Sequence, residues 1–251
     1  DLATLTGWFQ GRDLPAFRAK QVIEWVYGHR VESFEAMTNL SKPLRDAMAE
    51  AWDIYQGRVL NEVQSQDRTV KMLLGWPDEA TTECVLIPWA GQRRTGCIST
   101  QAGCPVGCRF CASGIGGLDR NLTAGQIVEQ AMRLSARATV EQTELTNIVL
   151  MGIGEPLLNY DAVLSAIRTI NAPWGMNIGA RRITLSTVGL PKQMRRLAGE
   201  ELQINLAISL HAPTDALRRE LIPMAEHGRI DELIDAARDY FAKTGREVKI
   251  E

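Results

Sequence analysis

The 251-residue sequence has no apolar run approaching the roughly 20 residues that a membrane-spanning helix requires. It opens on no basic stretch followed by an apolar one, so nothing in it reads as a secretion signal. Nor is basic charge in excess. Lys and Arg number 28 against 30 Asp and Glu, a formal net charge of −2, which argues against wholesale charge-driven binding to phosphate backbones. Low-complexity tracts and repeats of solenoid period are missing too, which excludes linker-like and solenoid architectures. Five cysteines cannot all pair, and three of them crowd between positions 104 and 111, so a disulfide framework is not indicated. A reducing, cytoplasmic setting is expected. What is present is a globular composition, 45% hydrophobic and 23% charged, in a chain long enough to bury a sizeable core.

Residues 1–56 read as a small helical unit. Asp13 with Pro15 is expected to start one helix, carrying Phe17, Val22, Ile23 and Val26 and ending at Gly28. Ser41 with Pro43 starts another, with Leu44, Ala47, Met48, Ala51 and Trp52 at helical spacing. Such stripes are packing faces more often than recognition surfaces. A display of Arg18, Lys20 and Lys42 toward RNA is the weaker reading. Residues 57–92 shift to a period of two and read as a short antiparallel β extension. Over 93–251 strands and helices alternate: a strand-like run from Thr95 to Gln101, then Asn147–Met151, Arg182–Ser186, Leu206–Leu210 and Val248 onward, with helices between. Thr123 and Gln126 predict a capping box, and Gly245 a helix end. Alternation with short loops implies α/β architecture on a parallel sheet, open or closed as a barrel. Arginine pairs at 93–94, 181–182, 195–196 and 218–219 are read as mostly solvated charge, with a shared basic face as the sharper alternative.

In parallel α/β folds ligands lie at the C-terminal ends of the strands. Here those ends carry Cys104-x3-Cys108-x2-Cys111, Gly152-Ile153-Gly154-Glu155-Pro156, Ser186-Thr187-Val188-Gly189 and Ser209-Leu210-His211. Three thiolates so close can converge on one metal centre. A 4Fe–4S cube normally takes four cysteines, so three leave one iron open to a small molecule. The rival is a zinc knot that adds Cys97 to the trio. Cys84, in an apolar strand, reads as a core residue, whereas Cys97 near the strand tips could act as a nucleophile or redox partner.

The C-x3-C-x-aromatic-C pattern, with Phe110 as the aromatic, resembles the signature of the radical S-adenosylmethionine (SAM) enzymes. The wider set of Cys97-x6-Cys104-x3-Cys108-x2-Cys111, Met151–Asn159, Arg181–Thr187 and Leu206–Pro213 is similar to the RlmN/Cfr family of RNA adenosine methyltransferases. The resemblance implies a partial radical SAM (β/α) TIM-type barrel with a helical N-terminal accessory, RNA-binding-like domain. It implies a 4Fe–4S cluster on Cys104, Cys108 and Cys111, and SAM contacts from Phe110, Gly154, Glu155, Ser186, Ser209, Leu210 and His211. In that family one SAM methylates a protein cysteine, a second yields a 5′-deoxyadenosyl radical on the cluster, and the methyl-derived carbon radical adds to the base. Cys97 matches the cysteine that resolves the resulting adduct, and Glu83 the proposed proton acceptor.

The implied substrate is adenosine in 23S rRNA, and also tRNA, methylated at C2; Cfr-like C8 methylation is the near alternative. The implied electron donor is flavodoxin-like, and no membrane is involved. A non-catalytic RNA-binding or zinc-stabilised module is the alternative of another class. The sequence departs from the family in one respect: no cysteine follows Cys111, so the methyl-carrying cysteine is missing. The chain begins without Met and stops within a strand-like run, Val248–Glu251. The expectation is a natural protein that continues.

Overall fold

A computed structural model describes residues 1–251, His227 by its backbone alone. Three short helices come first: α1 (Leu2–Gln10), α2 (Phe17–Ile23) and α3 (Lys42–Ala51). They close over their own core of Phe9, Ala19, Val22, Phe34, Met37, Leu40 and Met48, with Val26 and Ile54 touching both this core and the main one. Helix α1 was not expected from the sequence; its cap is the Asp1 carboxylate, which accepts from Thr4 N–H at 2.8 Å. Asp13 is not a cap. It sits in the left-handed region at φ 55°, and α2 starts only after Ala16, ending in a wide turn over Glu24–Gly28. Ser41 precedes α3 as expected, although its hydroxyl makes no capping bond.

Four strands follow as an antiparallel run: β1 (Arg58–Gln64), β2 (Val70–Gly75), β3 (Thr81–Pro88) and β4 (Arg93–Cys97). The expected run Thr95–Gln101 is not one strand. It leaves the sheet after Cys97, and β5 (Gln101–Gly103) pairs instead with β6 (Leu118–Asn121) as a small separate hairpin. The remaining elements alternate: α4 (Ala124–Val140), β7 (Glu144–Leu150), α5 (Tyr160–Asn171), β8 (Ile183–Thr187), α6 (Pro191–Ala198), β9 (Asn205–Ile208), α7 (Asp215–Leu221), α8 (Ile230–Thr244) and β10 (Val248–Ile250). Strands β4, β7, β8, β9 and β10 are parallel neighbours in that order. The antiparallel extension continues the same eight-stranded sheet rather than forming a layer of its own.

One sheet face is dry. Ile127, Ala131, Leu134 and Ala138 of α4 are all fully buried, at the spacing of one helical face. They cover the side of the sheet that carries Cys84, Leu86, Ile148 and Leu150. Gly96 lies there because a Cβ at that position would stand 3.1 Å from Leu134 and Ile148. The capping box at the start of α4 and the left-handed Gly245 (φ 64°) after α8 are present as expected. No helix among the described residues is long and apolar enough to cross a membrane.

The join between the N-terminal helices and the sheet is a buried carboxylate. Glu129 on α4 accepts from the backbone N–H of Gln56 (2.8 Å) and Gly57 (3.0 Å) and pairs with Arg133 at 2.8 Å. Charged hydrogen bonds to buried donors are among the stronger polar contacts. Glu129→Ala is therefore expected to lower stability by about 3 kcal/mol, read from the shift of the urea unfolding midpoint at unchanged slope.

Candidate active site

The four strand tips meet as the topology requires. A cavity of about 300 Å³ is lined by Cys104, Cys108 and Cys111 on one side and by Gly154, Ser186 and His211 among the tips opposite. Phe110, Met151, Gly152, Glu155 and Ser209 complete much of its wall. A second cavity of about 320 Å³ lies between the N-terminal helices and α4 and contains none of these groups.

The cysteine loop is held by its backbone. Cys104 N–H donates to Gly117 O (2.8 Å), Arg109 N–H to Leu221 O (2.9 Å) and Cys111 N–H to Cys108 O (3.1 Å). Gly103, at φ 70°, leaves no room for a Cβ, which would stand 2.2 Å from Gly117 O. Burial pushes the thiols of Cys104 and Cys108 up, and the neighbouring sulfurs add to this at Cys108, which reaches about 11. Ligation must therefore displace protons from them. Among the described residues no three Cys, His, Asp or Glu side chains gather as for a single ion, and Cys97 is not among the residues lining the cavity. A zinc knot needs its sulfurs around one point. In a cube each sulfur binds a different iron, so the sulfurs need only face one cavity, as these three do.

The Gly152–Glu155 segment is read differently in three dimensions. Its glycines do not simply admit a ligand. A Cβ at Gly152 would stand 2.6 Å from Ser99 Oγ, and one at Gly154 (φ 108°) would stand 2.7 Å from Gln101 Cβ. Both glycines are required by the segment that leads into the cysteine loop. Glu155 is buried and serves as a brace: its carboxylate accepts from Leu157 N–H (3.0 Å) and Val188 N–H (2.8 Å), tying the β7 tip to the β8 tip. Burial pushes its carboxyl up, against the pull of these donors and of Thr187.

Phe110 and His211 come together, their rings edge to face with centroids 4.9 Å apart. His211 occupies the left-handed region at φ 58°, uncommon for a residue with a side chain. Its N–H and that of Leu210 both donate to Glu251 O, at 3.0 and 2.9 Å. The Leu210 side chain packs on the main core instead of lining the cavity. The hydroxyls of Ser186 and Ser209 are 3.3 Å apart.

Cys97 ends β4 opposite Val85 of β3 and Val149 of β7, on the sheet face away from α4. Its thiol is pushed up by burial and eased by a backbone bond at Met151. Glu83 is on the same face by strand alternation, pairs with Lys71 at 2.8 Å, and lends its carbonyl to Ser99 Oγ at 2.6 Å. Cys84 is fully buried on the other face, its thiol pushed up to about 12.

Sequence reasoning missed the side chains that build this arrangement: Ser99, Gln101, Gln130 and Arg218. The available signal was Gln126 and Gln130, one turn apart and interleaved with Ile127, Ala131 and Leu134 of the apolar stripe, where a buried amide needs partners. The arginine pairs do not form one basic face. Arg94 and Arg218 are buried, and Arg195 and Arg196 are paired with Asp239 and Asp161 at 2.7 Å each.

A parallel sheet with three cysteines facing the strand tips defines a radical SAM domain, and the Radical SAM superfamily model matches residues 98–249. The model of the ribosomal RNA large subunit methyltransferase N-terminal domain matches residues 1–54. A solved radical SAM methyltransferase from Sphaerobacter thermophilus superposes with a TM-score of 0.96 at 44% identity, covering 99% of this chain and 73% of that one. A probable dual-specificity RNA methyltransferase RlmN 3 from Opitutus terrae is 43% identical across 100% of this chain and 71% of its own length. A probable RlmN from Symbiobacterium thermophilum is 48% identical over 94% of this chain and 64% of its own. The chain belongs to the RlmN family, and spans about two thirds of the length of these relatives.

Gly154→Ala forces a side chain onto Gln101 at a backbone angle it disfavours. The variant is expected to lose about 1–3 kcal/mol of stability, measured by thermal melting. Native-state alkylation followed by peptide mass spectrometry should leave Cys84 unmodified.

Proposed function

We propose that this chain forms the cluster- and SAM-binding part of a radical SAM RNA methyltransferase acting on C2 of adenosine in large-subunit rRNA, with tRNA as a second substrate. The observation that carries the reading is the single cavity shared by Cys104, Cys108, Cys111 and the tips of β7, β8 and β9. The residues fit the implied groups: three thiols and no fourth cysteine facing the cavity for a 4Fe–4S cube, and a polar, glycine-bearing wall for a zwitterionic nucleoside. When bound, the cluster supplies the electron that opens a sulfonium held beside it.

The chain's own residues then bind and orient. The Phe110 ring, half-exposed beside His211, offers a face to the adenine. Ser186 and Ser209 offer hydroxyls to the ribose or carboxylate. Glu155 holds two backbone donors and keeps further lone pairs for an ammonium. Cys97 and Glu83, on the open sheet face, are the residues for resolving a covalent RNA adduct and accepting a proton. Residues 1–56 would supply RNA contacts, 57–92 the β extension and 93–251 the barrel core.

Anaerobic reconstitution with iron and sulfide should give the visible absorption and EPR signal of a 4Fe–4S cluster that changes on adding SAM. Stoichiometric zinc with no cluster would refute the reading. Because no cysteine follows Cys111 in these 251 residues, they are expected to bind cluster and SAM without turnover. With a chain spanning the full length of the relatives, mass spectrometry of nucleosides from treated rRNA should show 2-methyladenosine; 8-methyladenosine would overturn the C2 assignment.

A further inference from the structure

The largest fully buried side chain is a cation. Arg218 on α7 is 1% exposed. Its guanidinium donates to Gly228 O at 3.1 Å and to Val188 O, while Nε has no partner. Among the described residues it forms no ion pair. Asp215, one turn earlier, spends Oδ1 on Ile230 N–H at 2.9 Å. A buried charge with no ion-pair partner and an unpartnered Nε is costly, so its position requires a reason.

Arg218 lies under the cysteine loop. Leu221 O, one turn further along α7, accepts from Arg109 N–H. Val106 packs on Ile222 with Cys104, Cys108 and Val188 around them, and Val188 is the residue whose carbonyl Arg218 holds. Burial pulls the pKa of the guanidinium down, against the attraction of the Asp215 carboxylate and, less, of a charge on Cys108. In the metal-free protein the Asp215 carboxylate attracts this cation without forming an ion pair with it. Three thiolates on an oxidised cube carry roughly one net negative charge, and roughly two after one-electron reduction.

We propose that Arg218 is the buried counter-charge of the cluster, a positioning residue that favours its assembly and its reduced form. The proposal rests on the cluster reading of Cys104, Cys108 and Cys111. It goes beyond ligation, because the guanidinium acts on the cube's charge through the loop and binds neither iron nor SAM. A cation in a low-dielectric interior stabilises the more negative oxidation state more.

The test compares the wild-type protein with Arg218→Gln, Arg218→Met and Arg218→Lys, each reconstituted anaerobically. Iron and sulfide content is measured, and the reduced fraction is followed by EPR across a redox titration. Both uncharged variants should show a reduced fraction about tenfold lower than wild type at fixed potential, with lower iron retention. The Lys variant, which keeps the charge and loses the fork, should stay within about threefold of wild type. If wild type takes up no cluster, the cluster reading itself fails. If wild type loads and all four proteins titrate together, the counter-charge role is overturned while the cluster reading stands. If the uncharged variants fail to fold without the cluster, the guanidinium serves the metal-free fold, and the proposal is equally overturned.

Discussion

The structure depends on one short segment that must leave the sheet without abandoning its hydrogen bonds. Between Cys97 and the cysteine loop, Ile98, Ser99, Thr100 and Gln101 are all buried. Every backbone N–H and C=O there needs a partner. Ile98 N–H donates to Val149 O, and its carbonyl accepts from Gly152 N–H. The Gln130 amide imitates a neighbouring strand, accepting from Ser99 N–H at 2.8 Å and donating to Ser99 O at 2.9 Å. Thr100 and Gln101 both donate to Ile153 O, and Thr100 O receives Leu122 N–H and the Asn159 amide. These bonds join the approach to the cysteines to the glycine-bearing tip of β7, so the two walls of the cavity are one hydrogen-bonded body.

From this body the remaining tips are braced in turn. Gln101 Oε1 accepts from Glu155 N–H at 2.8 Å, and the Glu155 carboxylate reaches Val188 at the β8 tip. Val188 O is held by Arg218, which belongs to the helix after β9. A continuous path of polar contacts thus runs from β4 to α7 around the mouth. Paths of this kind cost little when every member is satisfied and a great deal when one is not. The Nε of Arg218 is where the path is left open, on the helix that packs beneath the cysteine loop.

Much of this was legible in the sequence, for reasons that can be named. Helix α4 has a cap, a sustained apolar stripe and no breaker, and α8 ends on a glycine that adopts the left-handed cap. Local chemistry decided those. The strand tips followed from topology, since parallel alternation sends successive loops to one end. The boundary of β4 was not legible: Ile98-Ser99-Thr100-Gln101 has strand-like residues, and only the distant amides of Gln130 and Asn159 make an off-sheet course affordable. Asp13 and Pro15 carried a start signal that tertiary packing overrode. Glu155 was visible as a site residue, but its bracing bonds depend on Val188, thirty-three positions away.

The same sheet also explains why two cysteines of like chemistry have unlike prospects. Cys84 and Cys97 lie on adjacent antiparallel strands in a register that pairs Cys97 with Val85. Alternation then sends Cys84 toward α4 and Cys97 to the opposite face with Glu83. A one-residue slip of β4 against β3 would turn Cys97 to the α4 side and leave Cys84 in place. What opposes it is Gly96, where a Cβ would crowd Leu134, Leu145 and Ile148 at 3.1 Å, together with the irregularity at Arg94 and Thr95 in the β4–β7 pairing. Packing on the dry face thus decides whether the open face receives the Cys97 thiol, and the chemistry available to Cys97 is set by a glycine one residue away.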